Sequence, residues 1–74
     1  MRYKISVLIE KDDNGFYAWC PALSGCQTQG DTLEETLANI REAIELYLDT
    51  LPEGERSQFV SREVLNTTVE VDVA

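Results

Sequence analysis

The side chains of this sequence that could take part in chemistry are two cysteines, several serines and many carboxylates, with no histidine among them. A serine hydroxyl or a thiol becomes a nucleophile when a neighbouring base, most often histidine, removes its proton. Ser24, Ser57 and Ser61 have no such base available, and neither do Cys20 and Cys26. We therefore expect no nucleophilic catalysis, and the sequence predicts that the chain is not an enzyme.

Cys20 and Cys26 are also too few to build a metal site or a disulfide framework. A structural zinc ion takes four cysteine or histidine ligands, and this chain offers two. In a reducing compartment both thiols stay unpaired, and free cysteine is among the most frequently buried residue types. We interpret the two cysteines as small buried apolar side chains. The sequence predicts no metal and no cofactor.

Carboxylates are abundant and concentrate in one segment. The 74 residues contain 14 Asp and Glu against six Lys and Arg, a net charge of −8. Such a surface repels phosphate backbones and anionic lipids, so we expect no direct binding of nucleic acid or membrane. Within residues 31–51 six acids accompany one base, and they form either a solvated helix face or a docking surface for a basic partner. The docking candidates are Glu34, Glu35, Glu42, Glu45 and Asp49.

Alternating apolar and polar residues predict a hairpin in the first part of the chain. Residues 2–10 alternate as a half-buried strand does. Asn14 and Gly15 favour a type I′ turn, which would place Ile9 opposite Cys20 in the returning strand. Phe16, Ala18 and Cys20 then share a face with Ile5, Val7 and Ile9.

The opposite face of this hairpin carries Leu8, Tyr17 and Trp19. Both faces are therefore apolar, which is more than a single helix can cover. Aromatic residues are enriched at subunit contacts, so we expect a homo-oligomer that uses these three side chains. A base-stacking platform is the alternative, but such sites also use a basic groove, which this chain lacks.

The rest of the chain predicts one edge strand, one long helix and one final strand. Residues 21–25 read as a turn and residues 26–29 as a polar edge strand. Either Asp31 with Glu34 or Thr32 with Glu35 fits the capping box of a helix. Residues 53–66 are predicted as a loop with at most one helical turn, and residues 67–73 alternate again as a strand. The apolar stripe of the helix is Leu33, Leu37, Ile40, Ile44, Leu48 and Leu51.

These elements predict a single α+β domain over residues 1–74 with the order β-β-β-α-β. Three meandering strands and a helix that returns over one face place the fourth strand parallel to the first, in the sheet order 3-2-1-4. Residues 2–10 alternate instead of forming the apolar core of a signal peptide, and no apolar run approaches the ~20 residues of a membrane span. We expect a cytoplasmic protein.

The run from Phe16 to Ile44 has a distinctive pattern. An aromatic strand precedes a proline, a leucine and Gly-Cys, and Gln-Gly-Asp-Thr-Leu-Glu-Glu, Asn-Ile and Glu-Ala-Ile follow. This pattern resembles the HicB-like antitoxin family, and with the first hairpin and residues 67–73 the likeness covers nearly the whole chain. The matching positions are Pro21, Leu23, Gly25, Cys26, Gln29, Gly30, Asp31, Thr32, Leu33, Glu34, Glu35, Asn39, Ile40, Glu42, Ala43 and Ile44.

The resemblance implies a type II antitoxin that binds and silences a small basic HicA-like toxin, an mRNA-cleaving protein. It also implies a pared-down ribonuclease H fold with the strand order given above. Ribonuclease H enzymes need a metal-binding acid in the first strand, where this chain has Ile5-Ser6-Val7-Leu8, so nuclease activity is not expected. The chain ends at Ala74 and is similar to the short form of the family, without a C-terminal DNA-binding domain. The alternative hypothesis is a solitary homo-oligomeric domain that binds another protein or a small ligand.

Overall fold

The computed structural model describes residues 2–60 and 63–74 and has an α+β architecture, as predicted. The three strands form one antiparallel sheet in the order β1-β2-β3. Helix α1 packs over β2 and β3 on one face of this sheet. In the part of the chain that the structure describes, neither helix has the length and apolar character needed to cross a bilayer. The elements are β1 Leu8–Asp12, β2 Gly15–Trp19, β3 Gln27–Gly30, α1 Leu33–Asp49 and α2 Glu53–Val60.

The hairpin between β1 and β2 turns one residue earlier than predicted. Asp12 pairs with Gly15, so Asp13 and Asn14 form the turn. The predicted type I′ turn is wrong, because no described non-glycine residue has a positive φ, whereas Gly15 has a φ of +131°. The physical reason is the Asp12 carboxylate, whose Oδ1 accepts a 2.8 Å hydrogen bond from the Asn14 N–H and stabilises this turn.

This turn shifts the hairpin register by two residues. Ile9 pairs with Ala18 instead of Cys20, and Leu8 pairs with Trp19. Because side chains alternate with a period of two, a shift of two leaves every residue on its predicted face. The division of the hairpin into a helix-covered face and an opposite face is therefore confirmed.

Strand β1 is shorter than the predicted strand over residues 2–10. Its ladder begins at Leu8 because β2 ends at the opposite residue, Trp19. Beyond Trp19 the chain turns away at Pro21, so residues 2–7 have no partner in β2. They nonetheless keep their alternation, since every second side chain packs against the core. These side chains are Tyr3, Ile5 and Val7.

The loop between β2 and β3 closes the core. The Cys20 N–H donates to the Cys26 carbonyl over 3.0 Å, and the Leu23 N–H donates to the Cys20 carbonyl over 3.1 Å. Gly25 takes a φ of +78°, which a glycine adopts without steric cost. This geometry folds Leu23 inward until it is 1% exposed. The predicted turn and the burial of both cysteines as free thiols are confirmed.

Helix α1 begins with the second of the two predicted caps. Thr32 is the N-cap, and its Oγ1 accepts a 3.1 Å hydrogen bond from the Glu35 N–H. The fully buried Thr36 donates its hydroxyl to the Thr32 carbonyl over 2.8 Å. Ile40 and Leu48 are buried against the sheet, as the apolar stripe predicts. The first two stripe residues, Leu33 and Leu37, stay exposed.

Residues 53–60 form a helix where the sequence predicts a loop. The Arg56 Nε donates to the Leu48 carbonyl over 2.9 Å, which satisfies a backbone acceptor at the end of α1. The rings of Phe59 and Tyr47 meet edge to face, with centroids 6.3 Å apart. These are tertiary contacts with α1 and leave no periodic signal in the local sequence. The prediction of a loop over residues 53–66 is therefore wrong for α2.

The predicted fourth strand is not formed by the single chain. Residues 63–74 contain no strand, and Val69, Val71 and Val73 are 73%, 77% and 90% exposed. A strand needs a partner for its backbone hydrogen bonds, and these residues have none in the sheet β1-β2-β3. The order 3-2-1-4, with strand 4 parallel to strand 1, and the ribonuclease H-like arrangement are thus not confirmed.

Candidate protein-binding surfaces

One side of α1 is a continuous acidic surface. A helix turns about 100° per residue, so the five predicted docking residues fall within an arc of about 100°. The centre of this arc lies opposite the buried Ile40, and all five carboxylates are exposed. Glu45 is at the border of the arc, where it also lines a groove with Ile40 and Leu48. The structure therefore brings the predicted residues together on one surface, which we call the acidic face: Glu34, Glu35, Glu42, Glu45 and Asp49.

A concave surface of about 560 Å³ adjoins the acidic face at the turn end of the sheet. Glu35 belongs to both, and Glu10, Asp12 and Asp31 add three carboxylates from β1 and from the start of the helix. Tyr17 also lines the concavity. Asp31 is one of the six acids predicted in residues 31–51, whereas Glu10 and Asp12 were not among the predicted docking residues, because only the pairing of Phe16 with Gly30 brings the hairpin turn beside the helix start. The concavity can accept a cationic side chain.

The second candidate surface lies on the sheet face opposite α1. Leu8 and Trp19 are cross-strand partners. The centroids of the Tyr17 and Trp19 rings lie 5.5 Å apart, and the ring planes are inclined by 34°. The Tyr17 hydroxyl donates to Gln27 Oε1 over 2.7 Å, which fixes the ring against the edge strand. The structure thus joins Leu8, Tyr17 and Trp19 in one patch, which we call the aromatic face.

The two cysteines have the environment of buried apolar side chains. Burial raises the pKa of the Cys26 thiol above its ordinary value, and the neighbouring Cys20 raises it further. The thiol therefore stays protonated near neutral pH, and a protonated thiol is a poor nucleophile. Among residues 2–60 and 63–74, no three metal-binding side chains lie close enough to share an ion.

The acidic face and the aromatic face are each suited to contact with a protein.

Comparison with known proteins gives one family and several relatives. The family described as "HicB_like antitoxin of bacterial toxin-antitoxin system" matches residues 3–72. The chain is 56% identical over 50 residues to UPF0150 protein ssr1765 of Synechocystis, an alignment that covers 66% of this chain and 63% of that protein. It is 51% identical over 59 residues to a UPF0150 protein of Helicobacter pylori, covering 80% and 81% of the two chains.

The similarity extends to archaea. A UPF0150 protein of Archaeoglobus fulgidus is 40% identical over 63 residues, covering 84% of this chain and 91% of that protein. No solved structure matches the chain. The sequence relationship, and not a structural neighbour, therefore assigns the family.

Proposed function

This chain belongs to the HicB-like antitoxin family of bacterial toxin-antitoxin systems, and from that membership we propose that it binds and neutralises a small basic, mRNA-cleaving, HicA-like toxin. The observation that carries the proposal is the acidic face of α1, with its five exposed carboxylates and the adjoining concavity. A protein that cleaves RNA presents positive charge to the phosphates of its substrate. An acidic surface attracts and covers that positive charge.

The acidic face mainly raises the rate at which the toxin associates. Charges at the rim of an interface steer association and change the on-rate more than the final affinity. The concavity lined by Glu10, Asp12, Asp31 and Glu35 would receive an arginine or lysine of the toxin. The bound antitoxin then blocks access of mRNA to the toxin sterically. Because the target is mRNA, the complex works in the cytoplasm.

Charge reversal on the helix tests this mechanism. We expect Glu42→Lys/Glu45→Lys to slow association with the toxin by about tenfold or more at low salt, since steering is worth 10-fold to 1000-fold in on-rate. The control, Glu53→Lys/Glu63→Lys, makes the same change in net charge at two residues that are not part of the acidic face. We expect an adjacent gene to encode the basic toxin, and stopped-flow association with that protein measures both variants at low and at high salt.

The outcomes separate the function from the mechanism. Co-expression with that basic protein should rescue growth, and pull-down should recover the complex. If the two proteins do not bind and growth is not rescued, the antitoxin role is wrong and the solitary homo-oligomer takes its place. If rescue occurs but both double variants associate equally fast, the antitoxin role stands and the acidic face is not the docking surface.

The aromatic face supports a second part of the proposal, a homo-oligomer in which two copies cover Leu8, Tyr17 and Trp19. Aromatic side chains with a polar rim are typical of the centre of subunit contacts. Here Glu10, Gln27 and Gln29 share the face with the aromatic pair by strand alternation.

The fluorescence of Trp19, which is the single tryptophan, tests this contact. We expect its emission to shift to shorter wavelength as concentration rises, because a second copy removes water from the ring. Tyr17→Lys places a charge at the centre of the face and should abolish the shift. Leu46→Lys, at an exposed position on α1, should leave it intact. Emission that stays at the solvent-exposed wavelength at every concentration of the unmodified protein would show that the aromatic face stays in water.

A further inference from the structure

A groove runs along the free edge of the sheet, between residues 2–7 and α1. It encloses about 840 Å³ and is open to solvent. Residues 2–7 alternate between exposed and half-buried side chains and have no partner strand on either side among the described elements. We call this feature the edge groove. Its apolar lining consists of Tyr3, Ile5 and Val7 on one side and Leu37, Ile40, Ile44 and Leu48 on the other, and Arg2, Arg41 and Glu45 also line it.

The segment formed by residues 67–73 has the complementary properties. Val69, Val71 and Val73 alternate with Thr68, Glu70 and Asp72, which is the pattern of a strand with one buried face. In the single chain all three valines face water. An exposed apolar strand of this kind readily pairs with the open edge of a sheet.

The segment does not fill the groove of its own chain. The radius of gyration is 14.6 Å, whereas a compact domain of this length has a value of about 11 Å. The longest dimension is 50 Å, against 27 and 18 Å for the other two. With the valines exposed, this elongation shows that residues 67–73 project away from the folded body. Each chain therefore leaves one strand without a sheet and one groove without a strand.

Charge on the outward side of the two elements is also complementary. In residues 2–7 the side chains that alternate with Tyr3, Ile5 and Val7 are Arg2, Lys4 and Ser6. All three are exposed, and Arg2 also lines the groove. In the segment, Glu70 and Asp72 alternate with the valines. Opposite charges on neighbouring strands stabilise their pairing, and like charges oppose it. The groove edge and the segment therefore have charges of opposite sign.

We propose that residues 67–73 of one copy add as a fourth strand to residues 2–7 of a second copy, with the valines in the edge groove, and that the exchange is reciprocal. Such a two-fold contact is self-complementary: the same strand and groove are used by both copies. Main-chain hydrogen bonds hold the added strand, and the groove selects its valines. The proposal does not require a toxin, and its interface shares no residue with the aromatic face, although Glu45 of the acidic face also lines the edge groove.

Cross-linking between two populations of the full chain tests the exchange. One population carries Ser6→Cys and the other Glu70→Cys. Glu70 is the middle of the segment and Ser6 is exposed on the groove edge, so their separation depends little on the direction of the added strand. The populations are mixed, unfolded and refolded together, and treated with a short bis-maleimide. The native thiols Cys20 and Cys26 are buried, and each population treated alone measures any background from them.

We expect a covalent dimer in the mixture well above the level seen in either population alone. A chain that carries both substitutions provides the alternative outcome. If it forms a cross-link within one chain while the mixture forms none, the segment folds onto its own sheet and the exchange is wrong. If no cross-link forms in either sample, the segment does not bind the edge groove, and the exchange is again wrong.

A matched pair of variants tests the role of the valines. Val71→Asp should reduce the covalent dimer by at least tenfold, because it places a charge in the apolar groove. Thr68→Asp adds the same charge on the outward side of the segment and should retain the dimer. Both residues are exposed in the single chain, so the folded body stays intact, which circular dichroism verifies. Equal dimer yields in the two variants would contradict insertion of the valines.

Discussion

Replacing Leu23 with alanine should lower the free energy of unfolding by about 2–5 kcal/mol, the range measured for large-to-small changes in cores. Leu23 is 1% exposed, although it lies in a loop and not in a helix or strand. The two backbone hydrogen bonds between the loop and Cys20 hold it in place, so the cavity cannot collapse easily. Small domains have about 0.05–0.15 kcal/mol of stability per residue, and the loss would therefore remove much of the total.

Urea unfolding followed by circular dichroism measures this change. Leu46→Ala is the matched control, because it removes the same atoms from a side chain that is 61% exposed. We expect the control to change the free energy of unfolding by no more than about 0.5 kcal/mol. Two variants of equal stability would show that the loop does not close the core and that the burial of Leu23 contributes nothing to the free energy of unfolding.

Replacing Gly30 with alanine should destabilise the protein by about 1–3 kcal/mol or more, the range for overpacking. A Cβ at this position would lie 2.6 Å from Thr36 Oγ1 and 3.0 Å from the Thr36 N atom. Thr36 is fully buried and its hydroxyl donates to the Thr32 carbonyl, so it has no room to move. Separating the two would push β3 away from the first turn of α1.

Two other glycines supply controls for the same substitution, and thermal unfolding compares all three variants. At Gly54 the new Cβ meets no atom within 4 Å, and since the residue lies in α2, alanine should stabilise the protein by about 0.5–1 kcal/mol. Gly25 is also open but has a φ of +78°, so its variant measures backbone strain without a clash. A Gly30→Ala variant as stable as Gly54→Ala would mean that β3 and α1 are not in close contact.

Features set by neighbouring residues were predictable from the sequence. The N-cap of α1 depends on Thr32 and Glu35, which lie within one turn of each other. The acidic face follows from the 3.6-residue period of a helix, and the aromatic face follows from the two-residue period of a strand. The loop that buries Leu23 was recognisable as a turn from its proline and glycine. In each case the interacting groups are close in sequence, so local patterns contain the information.

Features that depend on distant partners were decided only by the tertiary structure. Helix α2 exists because Arg56 and Phe59 contact the end of α1, and no periodic pattern in the local sequence predicts those contacts. The length of β1 depends on where β2 ends, and the position of the hairpin turn depends on the Asp12 carboxylate. The pattern of residues 67–73 is that of a strand, but a strand forms only against a partner edge. The alternation in the sequence specifies which side chains of a strand would be buried. It does not specify which sheet edge the strand pairs with, because that edge is formed by residues far away in the sequence.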